Sequence, residues 1–223
     1  QPQRYLEAVR CFEKAFGTGR RAALFSSPGR CEIIGNHTDH QFGRAVAAAV
    51  TLDMIAVTAP NGSHTVRVVS EGYSAAVVEL DDLAPRIREK GMPSALIRGT
   101  AAGLTRAGFS PAGFDAYVSS HLPSGAGLSS SASFECLIGA IFNVFFCGGK
   151  ASAVQIAQAG RFAESEYFGK PCGLMDQLAC ATGGFAAMDF AEPAAPQVRR
   201  QTFSPRQHGL CLFSVHTGGS HAD

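Results

Sequence analysis

Residues 121–135 read HLPSGAGLSSSASFE, and the reading of this stretch decides that of the chain. Upstream, residues 114–121 (FDAYVSSH) are rich in β-branched and aromatic side chains, the composition of a strand. Downstream, Phe134, Leu137, Ile138 and Ile141 recur three and four residues apart, as on one face of a helix. Pro123, Gly125 and Gly127 interrupt both patterns. Glycine lets a backbone turn sharply and approach a ligand closely, and Ser129, Ser130 and Ser131 then place hydroxyls where the first helical turn should begin. A helix N-terminus offers free N–H groups and about half a positive charge, so it favours an anion. The stretch is either a phosphate cradle or a turn followed by a serine cap. One serine suffices for a cap, so a run of three favours the cradle. It is not the GxxxxGK[ST] loop, because no Lys follows the glycines.

The composition is that of a globular domain: 223 residues, 46% hydrophobic and 17% charged. A formal net charge of +1 provides no field to gather nucleic acid or an anionic membrane. No apolar run has the roughly 18 residues of a membrane span, and no signal-peptide pattern opens the chain, so the expected location is cytoplasmic. Seven cysteines, without a Cys-x-x-Cys pair, read as reduced thiols rather than a disulfide framework or a zinc site.

In chain order, Tyr5, Leu6, Val9 and Phe12 predict an amphipathic helix to about Ala15. Short strands are predicted at 22–26, 45–50, 54–59, 65–70 and 75–80, then a helix from Pro93 to about Ala107. Helices follow at about 131–146 and 151–168, with a third beginning near Leu174. Strands are predicted at 185–190, 198–203 and 210–217, and residues 191–196 (AEPAAP) are the only linker-like tract. Strands first and helices later favour an α+β fold. Its sheet should be mixed or antiparallel, since short turns cannot join parallel neighbours.

Two further clusters are rich in polar groups. Residues 27–41 (SPGRCEIIGNHTDHQ) crowd Arg30, Asn36, His37, Thr38, Asp39 and His40 around Ile33 and Ile34. This suits a sugar site, where each hydroxyl needs a placed partner, or an exposed turn in which Thr38 or Asp39 caps a helix. His37 and His40 lack a nearby third ligand for a metal. Residues 164–177 (ESEYFGKPCGLMDQ) place Glu164 on a helix and Asp176 past a break, at the start of the next. Asp176 can be a helix cap. Alternatively the two acids can supply the metal ligand and the carboxylate that phosphoryl transfer needs.

These three motifs, in this order, resemble those of the kinase family named for galactokinase, homoserine kinase, mevalonate kinase and phosphomevalonate kinase (GHMP). PSGAGLSSSAS is similar to its ATP-phosphate loop, GRCEIIGNHTDHQ to the signature of its galactokinase branch, and ESEYFGKPCGLMDQ to the stretch with the catalytic aspartate. The resemblance covers the chain from about Phe16 onward. It implies an α+β domain, with helices on one side of the sheet, of the kind also found in a small ribosomal-subunit protein. It also implies phosphorylation of galactose at its anomeric hydroxyl, with ATP and Mg²⁺. Asp176 then matches the catalytic aspartate and Arg30 the arginine beside it. Pro123, Gly125, Ala126, Gly127, Leu128, Ser129, Ser130 and Ser131 match the triphosphate cradle, Ser131 and Glu164 the Mg²⁺ ligands, and Asn36, His37 and Asp39 the residues that meet sugar hydroxyls.

Asn36 stands where the family pattern has Glu, and His40 where it commonly has Tyr. The sugar identity therefore stays open, with N-acetylgalactosamine as an alternative, and so does a relative that senses ATP and galactose without turnover. The resemblance implies a C-terminal domain that closes the cleft, and residues 1–223 correspond to the N-terminal domain alone. Taken alone, the chain is expected to lack appreciable turnover. A site open on one side neither positions nor dries the reacting groups.

Overall fold

Strand β2 (Arg44–Pro60) is the spine on which the other elements are placed, in a computed structural model that describes residues 2–123, 125–213 and 215. Strand β1 (Ala23–Ile34) pairs antiparallel along most of β2. Strand β5 (Phe114–Ser120) takes β2 residues 54–60, and β6 (Phe185–Asp189) takes residues 44–48. Strands β3 (Thr65–Ser70), β4 (Ala76–Glu79) and β7 (Gln197–Gln201) complete a seven-stranded sheet, ordered β4-β3-β5-β2-β6-β7 with β1 on β2. Among the described residues only the β3–β5 pair is parallel, so the sheet is mixed as expected.

The two short strands predicted at 45–50 and 54–59 are one long strand with an irregularity between them. The ladder partner moves from Asp53 at Pro28 to Ala49 at Arg30. Ala45 and Ala47 pack toward the helices on one side of this break, and Met54 and Ala56 on the other. Side chains alternate across a regular strand, so the switch from odd to even positions needs an inserted kink. The kink keeps both halves of β2 apolar toward one helical layer. Strand β1 also runs further than the predicted 22–26. It passes through Pro28, which an edge strand tolerates, and carries Arg30 within it.

That layer holds α2 (Pro93–Arg106), α3 (Ser130–Phe146), α4 (Ala153–Phe162) and α5 (Met175–Thr182), which pack on one another and on the sheet. Its core contains Ile97, Leu104, Leu137, Ile138, Ile141 and Phe142, all fully buried. The opening helix α1 (Pro2–Phe16) lies on the opposite face, where Ala8 and Phe12 meet Ile55, Val57 and Ala59. The helix predicted at 151–168 divides in two: α4 has a Ser152–Gln155 capping box, and a π-helical turn follows at Ala163–Phe168. The linker-like tract 191–196 connects β6 and β7, which pair with each other. No strand forms at 210–213; Ser214, His216 and Thr217 of that predicted strand lie outside the described residues. No helix among the described residues is long and apolar enough to cross a membrane.

Candidate active site

The glycine–serine loop reaches its position because β1 offers it a place without a side chain. A Cβ on Gly29 would collide with the Leu122 side chain and the Leu128 carbonyl, and the next amide, Arg30 N, donates to that carbonyl at 3.2 Å. The loop then enters α3 through Ser129, whose φ of 57° is left-handed. Among the described residues, the non-glycine positions with positive φ are Asn36, His37, Phe42 and Ser129. Three of them lie in the two loops picked out as candidate site segments and Phe42 directly follows one, a place where strained backbone tends to be kept for function.

Arg30 Nε and Nη2 donate to Asp176 Oδ1 and Oδ2 at 2.7 and 2.5 Å, while Nη1 donates to Gly127 O at 2.7 Å. The Ser129 hydroxyl also donates to Asp176 Oδ2. Burial acts to lower the Arg30 pKa, but hydrogen bonding and the charge of Asp176 outweigh it and raise it above the ordinary arginine value. Asp176 sits in the first turn of α5, its side chain 29% exposed. It faces a cavity of about 380 Å³ lined also by Arg30, His37, Lys170 and the loop residues 123 and 125–131.

Next to that cavity lies a buried carboxylate network. Ser131 Oγ donates to Glu164 Oε1 at 2.9 Å, and Gln177 Nε2 donates to Glu164 Oε2 at 2.8 Å and to Glu135 Oε2 at 3.0 Å. Glu164 projects from the π-helical turn, a rare geometry found often at functional sites. Glu135 is fully buried and its Oε1 has no hydrogen-bond partner among the described residues. Burial pushes its carboxyl well above the usual carboxylate range, and the charge of Glu164 adds to the effect. Burial thus favours the neutral form of the Glu135 carboxyl, which eases its approach to a second acid.

The polar loop after β1 is split in its placement. His37 lines the cavity, its amide bonded to Glu32 Oε1 at 2.9 Å and its Nε2 3.3 Å from Glu32 Oε2. Asn36 is exposed, and Asp39 is turned inward. Asp39 Oδ2 accepts from Leu174 N and Met175 N at 2.6 and 2.9 Å, capping α5 from a distant part of the chain. A Cβ on Gly173 would overlap the Asp39 carboxylate. Neither Asn36 nor Asp39 is among the residues lining the cavity.

Sequence reasoning passed over four contributors. Gln177 and Glu135 stood inside the quoted motifs, but only folding shows their carboxylate contacts. Lys170 was part of a break between helices. The fourth is a second cavity of about 360 Å³, lined by Met54, Tyr73, Leu96, Leu122, Phe134 and Phe168 and sharing Ser130 and Ser131 with the first. Its walls come from separate strands, helices and loops, so no local pattern could reveal it.

Comparison with known proteins agrees with this arrangement. The family model described as the GHMP kinases N terminal domain matches residues 95–184, and the galactokinase galactose-binding signature matches residues 10–60. A galactokinase of Bacillus subtilis (strain 168) is 32% identical over 176 residues, covering 77% of this chain and 44% of that protein. The crystal structure of Lactococcus lactis galactokinase complexed with galactose superposes with a TM-score of 0.78 at 24% identity, covering 92% of this chain and 58% of the other. The mevalonate kinase of Methanococcus jannaschii gives 0.64 at 18% identity, with 84% and 58% covered. The chain thus spans about half the length of these relatives. Residues 95–184 thus match the N-terminal domain of the GHMP kinases and residues 10–60 a galactokinase signature, on a fold shared with solved kinases.

Proposed function

We propose that the chain forms the ATP- and sugar-binding part of a kinase that phosphorylates galactose at its anomeric hydroxyl. The observation that carries this reading is the Arg30–Asp176–Ser129 cluster, which opens onto the same cavity as the glycine–serine loop. Phosphoryl transfer is mainly positioning and charge stabilisation, so a fixed carboxylate beside a phosphate cradle is the central requirement. Arg30 holds Asp176 in place, and Asp176 orients the anomeric hydroxyl and accepts its proton as the oxygen attacks the terminal phosphorus and the bond to the bridging oxygen breaks, releasing ADP. The amides of residues 125–131 and the N-terminus of α3 hold the phosphates. The base lies in the apolar cavity next to Ser130, between walls that include Tyr73 and Phe168.

Ser131 Oγ and Glu164 Oε1, 2.9 Å apart, suit a magnesium ion, which takes few protein oxygens and completes its shell with water and phosphate. Bound there, the ion would neutralise charge on the transferring group. Gln177 holds the other oxygen of Glu164, so the carboxylate keeps one fixed orientation.

Galactose is favoured by the matched signature and by the galactokinase relative at 32% identity. His37 and Asp39 serve the sugar in different ways. His37 reaches the cavity directly, while Asp39 holds the start of α5, and with it Asp176, in place. An ATP-coupled assay across galactose, N-acetylgalactosamine and mevalonate tests the assignment on the protein extended to the length of its relatives. Galactose is expected to give the highest kcat/KM. A clear preference for either competitor would replace it.

A further inference from the structure

The cavity beside Asp176 is lined, among the described residues, by three side chains that can carry positive charge: Arg30, His37 and Lys170. Two of them are already engaged. Arg30 forks onto Asp176 and reaches Gly127 O, so that pair is neutral as a unit. His37 faces Glu32 at 3.3 Å. Lys170 differs: its Nζ is 3.6 Å from Glu164 Oε1, longer than a hydrogen bond, and the side chain is 66% exposed.

The backbone beneath Lys170 is well fixed. Gly169 N and Lys170 N both donate to Glu164 O at 3.0 Å, closing the π-helical turn. Gly169 adopts a left-handed φ of 88°, and the Lys90 stem fills the space a Cβ there would need. A rigid base with an exposed ammonium is suited to meeting a ligand that arrives later. A divalent cation on Glu164 Oε1 would repel that ammonium, since like charges so close are unfavourable. Its nearest alternative is the cavity it already lines.

We propose that Lys170 is a further substrate-binding residue, its ammonium contacting the terminal phosphate of a nucleoside triphosphate held by the loop. A triphosphate brings several negative charges into a cavity where Arg30 is balanced by Asp176 and the helix end supplies about half a charge. Lys170 is the side chain left to offset the rest. This inference rests on reading the cavity as a nucleotide site.

Isothermal titration of this chain and its Lys170→Met and Lys170→Arg variants with ATP, ADP and AMP, with Mg²⁺ present, tests it. Lys170→Met should weaken ATP binding about tenfold, the value of one charge-assisted hydrogen bond. It should weaken ADP less, leave AMP unchanged and make ATP binding less sensitive to salt. Lys170→Arg should recover most of the loss. Unchanged ATP affinity in Lys170→Met overturns the proposal, as does an equal loss for all three nucleotides. A lowered Mg²⁺ requirement in that variant also overturns it, by making Lys170 a stand-in for the metal. If the unmodified chain binds none of the nucleotides, the cavity is not a nucleotide site and both readings fail together.

Discussion

Arg30–Asp176 and Arg98–Glu89 are built from the same groups in the same fork, yet they do different work. Arg98 Nε and Nη2 donate to Glu89 at 2.8 and 2.7 Å, and its Nη1 donates to the carbonyls of Glu79 and Asp82. Arg98 is fully buried and the Glu89 side chain 9% exposed, so every partner is protein. This pair ties residues 79–89 onto α2. Arg30 is nearly as buried, at 8%, but Asp176 is 29% exposed and faces a cavity. Its spare donor goes to Gly127 in the loop that would carry phosphate. On the proposed reading, a forked ion pair serves chemistry when one oxygen edge stays open, and architecture when both are closed.

The sharpest way to break the comparison is Asp176→Asn. Turnover should fall about 10²–10⁴-fold, the usual contribution of a proton acceptor, while ATP binding and the melting temperature stay close to the unmodified values. Arg30→Ala should be severe as well, and the losses should not add in the double variant, because the two groups act together. Arg98→Met should behave in the opposite way. Leaving Glu89 buried without its partner costs about 3–5 kcal/mol, on the order of 10 °C in melting temperature for a domain of this size. Turnover per folded molecule should be little changed. If Arg98→Met removed activity at full stability, the division between the pairs would fail.

A smaller effect separates Asp176 from Glu164. Glu164→Gln should raise the Mg²⁺ concentration for half-maximal rate, and Gln177→Leu should do so by about tenfold through the carboxylate it orients. Sugar binding should be largely kept in both, and an unchanged Mg²⁺ profile would leave Glu164 a structural role. The smallest expected effect is on acid stability. Hydrogen bonds from Arg98 hold the Glu89 pKa below its ordinary value, against the opposing effect of burial. A lowered pKa stabilises the fold above the unfolded value of about 4.3, and that contribution is lost as pH falls through the folded value. Melting curves between neutral pH and the acid range should therefore drop less steeply below about pH 4.3 in Glu89→Gln than in the unmodified chain.

What could be read before folding follows contact distance along the chain. The strand–loop–helix at 114–146, the helix opening at Pro93 and the helix beginning near Leu174 have local signals, and each stands in the structure as β5–α3, α2 and α5. The order of the site motifs could also be read, since each is a short run of residue types. The continuity of β2 could not, because its kink lies opposite Gly29 of the neighbouring strand, a pairing that only folding brings about. Arg98 carries no local signal, because its partners at 79–89 meet it only on folding. Asp39 had been weighed as a local cap or a sugar ligand. It caps a helix 135 positions away, a distance no local pattern spans.

The most direct test of the central claim follows labelled γ-phosphate from ATP in a single turnover with galactose. It uses the protein extended to the length of its relatives, with Asp176 and with Asp176→Asn. The account predicts label on the anomeric oxygen of galactose with Asp176, and almost none with Asn although ATP still binds. Label appearing at the same rate in both, or no labelled galactose with Asp176 intact, would contradict it.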